Sequence, residues 1–431
     1  MRLFGKEFKR VITSLIFILT IAGIFIFIYS QDVIPDKRYV EDPEPNGYFG
    51  MKSSNDPELI MPEAISSLYY KAQENQYVTY PNGFYKSVKL NTADKEKMDK
   101  LISELVTVND DGSTENNSND NDFIVSEDGS FQVGDNSNVQ QNEDGSFTIW
   151  GDMEEKLPDN IKVNENLTWE RFQEIMEEVD QLLGDGSDYS ETWIAHRFGL
   201  IPVTYEEAVE DYKLMISEDK VSGTHARLFS DYAGIILGLL PVFPAVFLFL
   251  KDRKKIAPMI YTRRVSSTKL VLSRFAALIS AIMLFVFIIC GFLTGIMIYR
   301  YGVTNIDILA YFKYALLWLL PTAMVSTAVG MFFTTLTGTP IAIVVQLLWW
   351  FFDMIGGSGS YQFVGGYSMR LIPRHNSFGQ VQAFIDNFPQ LIQGRIFITA
   401  ISLVLVGLTV FIYEFKRRGK LNVSIIKHNK V

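Results

Sequence analysis

The sequence has few of the side chains on which catalytic and metal chemistry depends. Its 431 residues include one cysteine and four widely spaced histidines. It has no HExxH pattern and no Cys/His cluster, so we recognise no metal centre and no nucleophile–base arrangement. It also lacks a Gly-x-x-x-x-Gly-Lys-Ser/Thr loop, which excludes nucleotide binding in the P-loop manner. We therefore expect a protein that is not an enzyme and needs no cofactor.

The lone cysteine restricts the class of protein further. Cys290 lies inside an apolar run, so disulfides cannot hold the polar part of the chain. This argues against a eukaryotic secreted-type ectodomain but is compatible with a bacterial one.

Charge is strongly segregated along the chain. Residues 31–228 contain 42 acidic against 16 basic residues, a net charge of −26. The rest contains 7 acidic against 23 basic residues, a net charge of +16. These are two parts of different character, and the basic part contains all the long apolar runs.

Five stretches are long and apolar enough to cross a membrane, and none contains Asp, Glu, Lys, Arg or His. They are Val11–Tyr29, Tyr232–Leu250, Phe275–Tyr299, Tyr314–Leu336 and Ile396–Tyr413. A hydrocarbon core about 30 Å thick needs about 20 residues at a rise of about 1.5 Å. A sixth stretch, Pro340–Ile355, is shorter and carries Asp353 near its end, where we interpret the carboxylate as interfacial. We predict an all-α polytopic membrane protein with six transmembrane helices and a large α+β extracytoplasmic domain between the first two.

The basic residues predict which side each loop occupies. Lys and Arg cluster before the first predicted span, after the second and after the sixth. Because cytoplasmic loops carry an excess of Lys and Arg, these clusters place both termini in the cytoplasm of a bacterial cell membrane. Residues 31–228 then form the extracytoplasmic domain, 229–415 the spans from the second to the sixth, and 416–431 a basic cytoplasmic tail.

The predicted extracytoplasmic domain contains helical stripes and one unusual insert. Apolar residues recur at helix spacing within 57–76, 92–105 and 168–183, and Thr204 to Glu207 has the form of a capping box. The insert, 109–152, repeats an Asp-Gly turn between strand-forming residues, which predicts two hairpins on flexible acidic linkers. Calcium binding is the alternative, but no spaced EF-hand loop is present.

A long basic loop follows the second predicted span. The 24 positions of 251–274 include eight Lys or Arg and one acidic residue. Met259, Ile260 and Tyr261 form an apolar patch among these bases. The patch could dock into a soluble partner, or the loop could serve only as an anchor at the lipid headgroups. Its length favours docking.

The layout of the whole chain resembles an ABC-2-type transporter permease, the membrane subunit of a bacterial ABC exporter. Within residues 1–30, MRLFGKEFKR resembles the family's interfacial elbow helix, which leads into the first span. The loop 251–274 matches the family's coupling helix in position, and 356–394 matches its outer re-entrant region. The pattern departs where Arg263 follows Thr262, since the family has proline there, and where Asp252 replaces an early glutamate.

The resemblance implies ATP-driven export, with hydrolysis in a separate P-loop ATPase subunit. A second permease copy or a related chain would complete a dimer in the lipid bilayer, and no nucleic acid is involved. The residues expected to dock the ATPase are Met259, Ile260, Tyr261, Thr262, Arg263 and Arg264. The alternative is a non-transporting sensor whose extracytoplasmic domain binds a ligand. The substrate is left open.

The re-entrant region predicts an outer gate. Its glycines permit turns that other residues resist, and Val381, Phe384 and Phe388 predict a short helix with one apolar face. Non-helical backbone at membrane depth must be buried in protein or line a wet cavity. We expect Arg370, Arg374 and His375 near the exit, where anionic groups could meet them; the alternative is an exposed loop.

Overall fold

The computed structural model describes residues 2–35, 42–81, 85–108, 157–158, 160–251, 265–355, 367, 369–375 and 378–420, and the backbone of four short strands between 123 and 149. The chain divides into two compact units. One comprises Met1–Phe49 and Val203–Val431, here called the membrane unit, and the other is Gly50–Pro202, here called the inserted unit. The inserted unit is narrower than the predicted 31–228.

The membrane unit begins with two short helices joined at a sharp bend. Helix α1 (Arg2–Ile12) is amphipathic, and α2 (Leu15–Ser30) is uniformly apolar. The two meet at 65°. Ser14 caps α2, since its side chain accepts a hydrogen bond from the amide of Phe17 at 3.2 Å. The predicted first span, Val11–Tyr29, is therefore a bent pair whose apolar arm has 16 residues.

The inserted unit has its own core, formed by four helices with paired strands at its edges. Its elements are β1 (Met51–Ser53), α3 (Pro57–Glu74), β2 (Tyr77–Thr79), β3 (Lys86–Val88), α4 (Thr92–Leu105), β4 (Val106–Val108), β5 (Phe123–Val125), β6 (Phe131–Val133), β7 (Val139–Gln141), β8 (Phe147–Ile149), β9 (Ile161–Val163), α5 (Trp169–Leu183), α6 (Ile194–Phe198) and β10 (Leu200–Pro202). The antiparallel pairs are β1–β10, β2–β3, β4–β9, β5–β6 and β7–β8.

The predicted helical stripes form this core. Leu68 of α3, Met98 of α4 and Phe172 of α5 are fully buried together. Both predicted hairpins of the 109–152 insert are present, because Val125 pairs with Phe131 and Gln141 pairs with Phe147. The acidic stretches predicted to be linkers lie outside the described residues.

The second part of the membrane unit is a bundle of long helices. Its elements are α7 (Tyr205–Ser217), α8 (Ser222–Leu239), α9 (Val242–Leu250), α10 (Ser267–Tyr301), a 3₁₀ turn (Val303–Asn305), α11 (Ala310–Tyr314), a π-helical turn (Ala315–Leu319), α12 (Leu320–Thr337), α13 (Ile341–Ile355) and α14 (Val381–Arg417). Thr204 and Glu207 form the predicted capping box of α7.

Proline accounts for two breaks in these helices. Pro241 stands between α8 and α9, and Pro321 follows the π-helical turn at the start of α12. A proline has no amide hydrogen and its ring crowds the preceding turn, so the hydrogen-bond register changes there.

Six membrane spans are not confirmed. Four helices in the described part of the chain are long and apolar enough to cross a membrane, or up to five spans if the bent pair of α1 and α2 counts as one. Helix α13 has 15 residues, about 22 Å at a rise of about 1.5 Å per residue, which is shorter than a hydrocarbon core of about 30 Å. The apolar helices indicate a multi-pass membrane protein.

Two predicted boundaries move. The second span extends back to Ser222, so ionisable residues assigned to the extracytoplasmic domain lie in the membrane unit. The predicted short helix at Val381 is not separate, because α14 runs without interruption to Arg417 and contains Pro389.

Candidate functional site

The residues predicted to dock an ATPase lie outside the described part of the chain. Met259, Ile260, Tyr261, Thr262, Arg263 and Arg264 all fall within 252–264. The structure does describe both ends of that loop, at Lys251 and Val265. The helix ends around these two residues are called the basic end of the bundle.

Polar contacts from α14 hold the loop's second flank. Arg417 Nη1 donates a hydrogen bond to the Val265 carbonyl at 2.5 Å. Ser267 Oγ, in the first turn of α10, donates to Glu414 Oε2 at 2.5 Å. Lys416 Nζ donates to the carbonyl of Leu336 at 3.1 Å, near the end of α12. The last turn of α14 therefore ties together the ends of α10 and α12.

A buried arginine connects the elbow helix to the same end. Arg274 of α10 is 2% exposed, and its Nε lies 3.7 Å from Glu7 Oε2 of α1. Its guanidinium also lies 5.1 Å from the ring centre of Phe249 in α9. Glu7 pairs in addition with Arg10 at 3.5 Å. Helices α1, α9 and α10 thus converge on one guanidinium beside the loop.

At the opposite end of the bundle, residues 369–375 form a non-helical strip that we call the crossing segment. Leu371 and Ile372 are buried, and their amides donate to Asp353 Oδ1 and Oδ2, each at 2.9 Å. Asp353 is the last charged residue of α13. Its carboxylate thus accepts two backbone hydrogen bonds, and its interfacial position stays a prediction.

The carbonyls of the crossing segment accept hydrogen bonds from α14, from α12 and from the π-helical turn before α12. Arg395 of α14 donates to the carbonyls of Arg370 and, at 3.3 Å, Leu371. Thr322 Oγ1 donates to the Leu371 carbonyl at 3.0 Å. Trp318 Nε1 donates to the Pro373 carbonyl at 3.2 Å. Irregular backbone among apolar helices needs such partners, because no water is there to supply them.

Two of the residues predicted at an outer gate make buried contacts. Arg374 Nε lies 2.6 Å from Asp231 Oδ1, and the Asp231 side chain is 1% exposed. His375 is 1% exposed. Its Nε2 lies 3.1 Å from the Gly379 carbonyl, which can only accept, so Nε2 carries the proton. Its Nδ1 lies 2.8 Å from the hydroxyl of Tyr367.

Arg370 contributes its carbonyl to the crossing segment, and its side chain is half-buried. The structure thus brings Arg374 and His375 into the packing of the bundle end. Their action on a passing substrate stays a prediction.

Arg227 is a residue that sequence reasoning missed. It lies in α8, is 0% exposed, and places Nη1 2.5 Å from Asp219 Oδ2. Its Nη2 donates to Thr224 Oγ1 at 3.2 Å and to the Gly379 carbonyl at 3.3 Å. The signal in the sequence was a set of small residues at helix spacing: Gly223, Ala226, Ser230 and Ala233. These residues continue the apolar face of α8 toward its first turn.

No protein-family model, no curated protein and no solved structure matches this chain. Within the described residues, no group of three or more His, Cys, Asp or Glu side chains is placed to hold a metal ion. The contacts of the described residues are therefore the basis for a functional proposal. These form two polar assemblies, one at each end of an apolar bundle.

Proposed function

We propose that this chain is the transmembrane permease subunit of an ATP-driven ABC exporter in a bacterial cell membrane. It would form a substrate path together with a second permease chain and dock a separate P-loop ATPase. The observation that carries the proposal is that three carboxylates of the membrane unit, which are buried or half-buried, are held in fixed contacts. The energy for transport then has to come from a partner.

Each of these carboxylates has identified partners. Asp219 pairs with Arg227, Asp231 pairs with Arg374, and Asp353 accepts two backbone amides. Ion-coupled transporters depend on intramembrane carboxylates or histidines that change partners as they bind and release ions. Carboxylates held by arginines and amides are poor candidates for that work.

The basic end supports a mechanism for energy transfer. The loop 252–264 lies between α9 and α10. Arg274 of α10 contacts both α9 and α1. An ATPase that moved the loop would pull on α9, α10 and α1 together. Glu414 and Arg417 would carry the same movement into α14.

The test is co-purification of a P-loop ATPase with this chain from detergent-solubilised membranes of cells that contain both. Burial of a side chain the size of Ile contributes about 1.5–3 kcal/mol, whereas an exposed ion pair contributes about 0–1 kcal/mol. Ile260→Asp should therefore release the ATPase, and the pair Lys254→Ala and Lys255→Ala should weaken its binding only slightly. Val303→Asp, an exposed apolar residue at the opposite end, is the matched control and should leave binding unchanged.

Retention of the ATPase by Ile260→Asp would make 251–274 a headgroup anchor. If no ATPase co-purifies with the unmodified chain, the sensor alternative gains, and a ligand of the inserted unit should then be sought.

A further inference from the structure

A cavity of about 690 Å³ lies at the opposite end of the bundle, within the membrane unit. Its walls come from the turn between α7 and α8, the first turn of α8, the connection before α11, α11 with the π-helical turn after it, and the first part of α14. Its volume falls in the range of about 300–1,000 Å³ that is typical of sites for small organic ligands.

The charges around this cavity balance. Glu218, Asp219 and Asp307 face it together with Lys220 and Lys313. Asp219 is neutralised by Arg227 behind it, and Asp307 Oδ2 lies 2.5 Å from Lys313 Nζ. Among the described residues, Glu218 and Lys220 form no ion pair, and both are exposed. The mouth thus presents one negative and one positive group two residues apart, a pattern that suits a zwitterion.

The charges of Lys220 and Lys313 act on Asp307 and affect the pKa of its carboxyl group. Burial raises it, but hydrogen bonds from Lys313 and the Leu309 amide and the charges of Lys313 and Lys220 lower it below its ordinary value overall. The Asp307 carboxylate therefore stays ionised, and the two lysines present positive charge beside it.

The rest of the lining is mostly apolar and includes exposed residues. Leu309, Leu317 and Phe388 line it. Leu309 is 57% exposed and Phe388 is 38% exposed, although both are large and hydrophobic. In a multi-pass membrane protein, such exposed apolar side chains suit contact with lipid acyl chains. The lining of the cavity therefore combines charged residues with an apolar wall.

An unusual backbone turn positions the charged mouth. Lys220 and Val221 have φ angles of +48° and +59°, a region that is rare for side-chain-bearing residues and especially for β-branched ones. The Val221 amide donates to the Met215 carbonyl at 3.0 Å, which closes the turn. The Asp307 amide donates to Ser222 Oγ at 2.8 Å. Those contacts hold the turn against the opposite wall of the cavity.

We propose that this cavity binds a zwitterionic glycerophospholipid, with its ammonium group beside Glu218, its phosphate beside Lys220, and its acyl chains along Leu309, Leu317 and Phe388. The lipid is chosen by two features that act together. Balanced charge disfavours a purely anionic or cationic headgroup, and the apolar side wall disfavours a ligand without chains. The site does not depend on the proposed exporter function.

The test uses the full-length protein in detergent, titrated with dioleoyl phosphatidylethanolamine, with bound lipid counted by native mass spectrometry. Lys220→Asn should weaken saturable binding about tenfold or more, the effect of losing a charge-assisted hydrogen bond. Asn is chosen at 220 because it tolerates a positive φ. Lys269→Ala, an exposed lysine at the basic end, should leave binding unchanged.

A second variant protects the test from misfolding. Leu317→Trp fills the apolar wall without altering any charge, and it should lower lipid binding while gel-filtration behaviour stays normal. Equal binding by the unmodified protein and both variants overturns the proposal. So does equal affinity for phosphatidylglycerol, which would indicate a merely anionic-lipid surface. Displacement of the lipid by glycerophosphoethanolamine at equal concentration would assign the site to a soluble zwitterion instead.

Discussion

At the scale of single residues, two side chains decide whether the crossing segment can exist among apolar helices. Asp353 accepts the amides of Leu371 and Ile372, and Arg395 donates to carbonyls of the same segment. An acidic side chain accepts and a guanidinium donates, so the pair satisfies both kinds of backbone group. Their charges also offset each other in a setting of low dielectric constant.

Replacement of Asp353 should destabilise the membrane unit. Asp353→Ala leaves two buried amides without acceptors, at a cost of about 1–3 kcal/mol each. Asp353→Asn keeps one acceptor oxygen and should lose less. The measurement is thermal unfolding in detergent, with Asp386→Ala, an exposed acid of α14, as the control. An equal melting temperature for Asp353→Ala and Asp386→Ala would contradict this role.

The Asp231–Arg374 pair should behave as a coupled unit. Removal of one partner from a buried pair leaves an unpaired charge and costs about 3–5 kcal/mol. Asp231→Leu or Arg374→Met alone should therefore lower the unfolding temperature, and the double variant should recover most of the loss. Additive losses in the double variant would show that the contact contributes little.

His196 gives the inserted unit a pH dependence. Its Nδ1 lies 2.5 Å from Ser53 Oγ, and burial lowers its pKa below the ordinary value of 6.5. The unfolded chain therefore binds a proton more readily, so stability is full above that value and falls as pH drops through it.

We expect the melting temperature of the full-length protein to fall between about pH 8 and about pH 5, and to fall less in His196→Asn. Identical pH profiles in the two proteins would show that His196 does not contribute.

At the scale of elements, glycines set how closely the bundle helices approach. A Cβ at Gly330 of α12 would lie 2.8 Å from Ala245 Cβ and 3.0 Å from the Val242 carbonyl of α9. One at Gly238 of α8 would lie 2.8 Å from Ile372 of the crossing segment. Small residues commonly allow such close helix contacts in membranes.

Gly330→Ala should destabilise the α9–α12 contact by about 1–3 kcal/mol, because the added methyl group forces the helices apart. Gly407→Ala in α14 is a matched control, since nothing lies within 4 Å of its Cβ position. That change should be neutral or stabilising by about 1 kcal/mol through helix propensity. Unfolding measured side by side in detergent would refute the packing argument if the two variants changed alike.

At the scale of the whole molecule, membrane orientation can be tested with positions that the structure shows to be exposed. In a Cys290→Ser background, Ser103→Cys should react with an impermeant thiol reagent on whole cells, and Thr268→Cys should not. Ser267 is unsuitable as a probe because it is 3% exposed and bonded to Glu414. Labelling of Thr268→Cys with none at Ser103→Cys would invert the topology and remove the ATPase proposal.

The features that the sequence predicted correctly are those that depend on local patterns of residues. Apolar runs located the long helices, and helix-spaced stripes located the core of the inserted unit. Repeated Asp-Gly turns located two hairpins, and Thr204 with Glu207 located a cap. Each depends on residues within a few positions of one another, so the chain's own spacing suffices to find it.

The number of spans and the roles of the charged residues depended on contacts between distant positions. Asp353 reads as interfacial in sequence, since nothing local shows that the amides 18 and 19 residues later will meet it. In the sequence, Arg227 reads as part of a polar domain. The Gly379 carbonyl that it contacts, just before α14, is 152 residues away. By itself the sequence determined a multi-pass membrane protein with an inserted polar unit, because burial of apolar surface follows from composition and period. Only the tertiary structure decided which charges are buried, because a charge enters an apolar bundle only where a partner compensates it, and such a partner can be distant in the sequence.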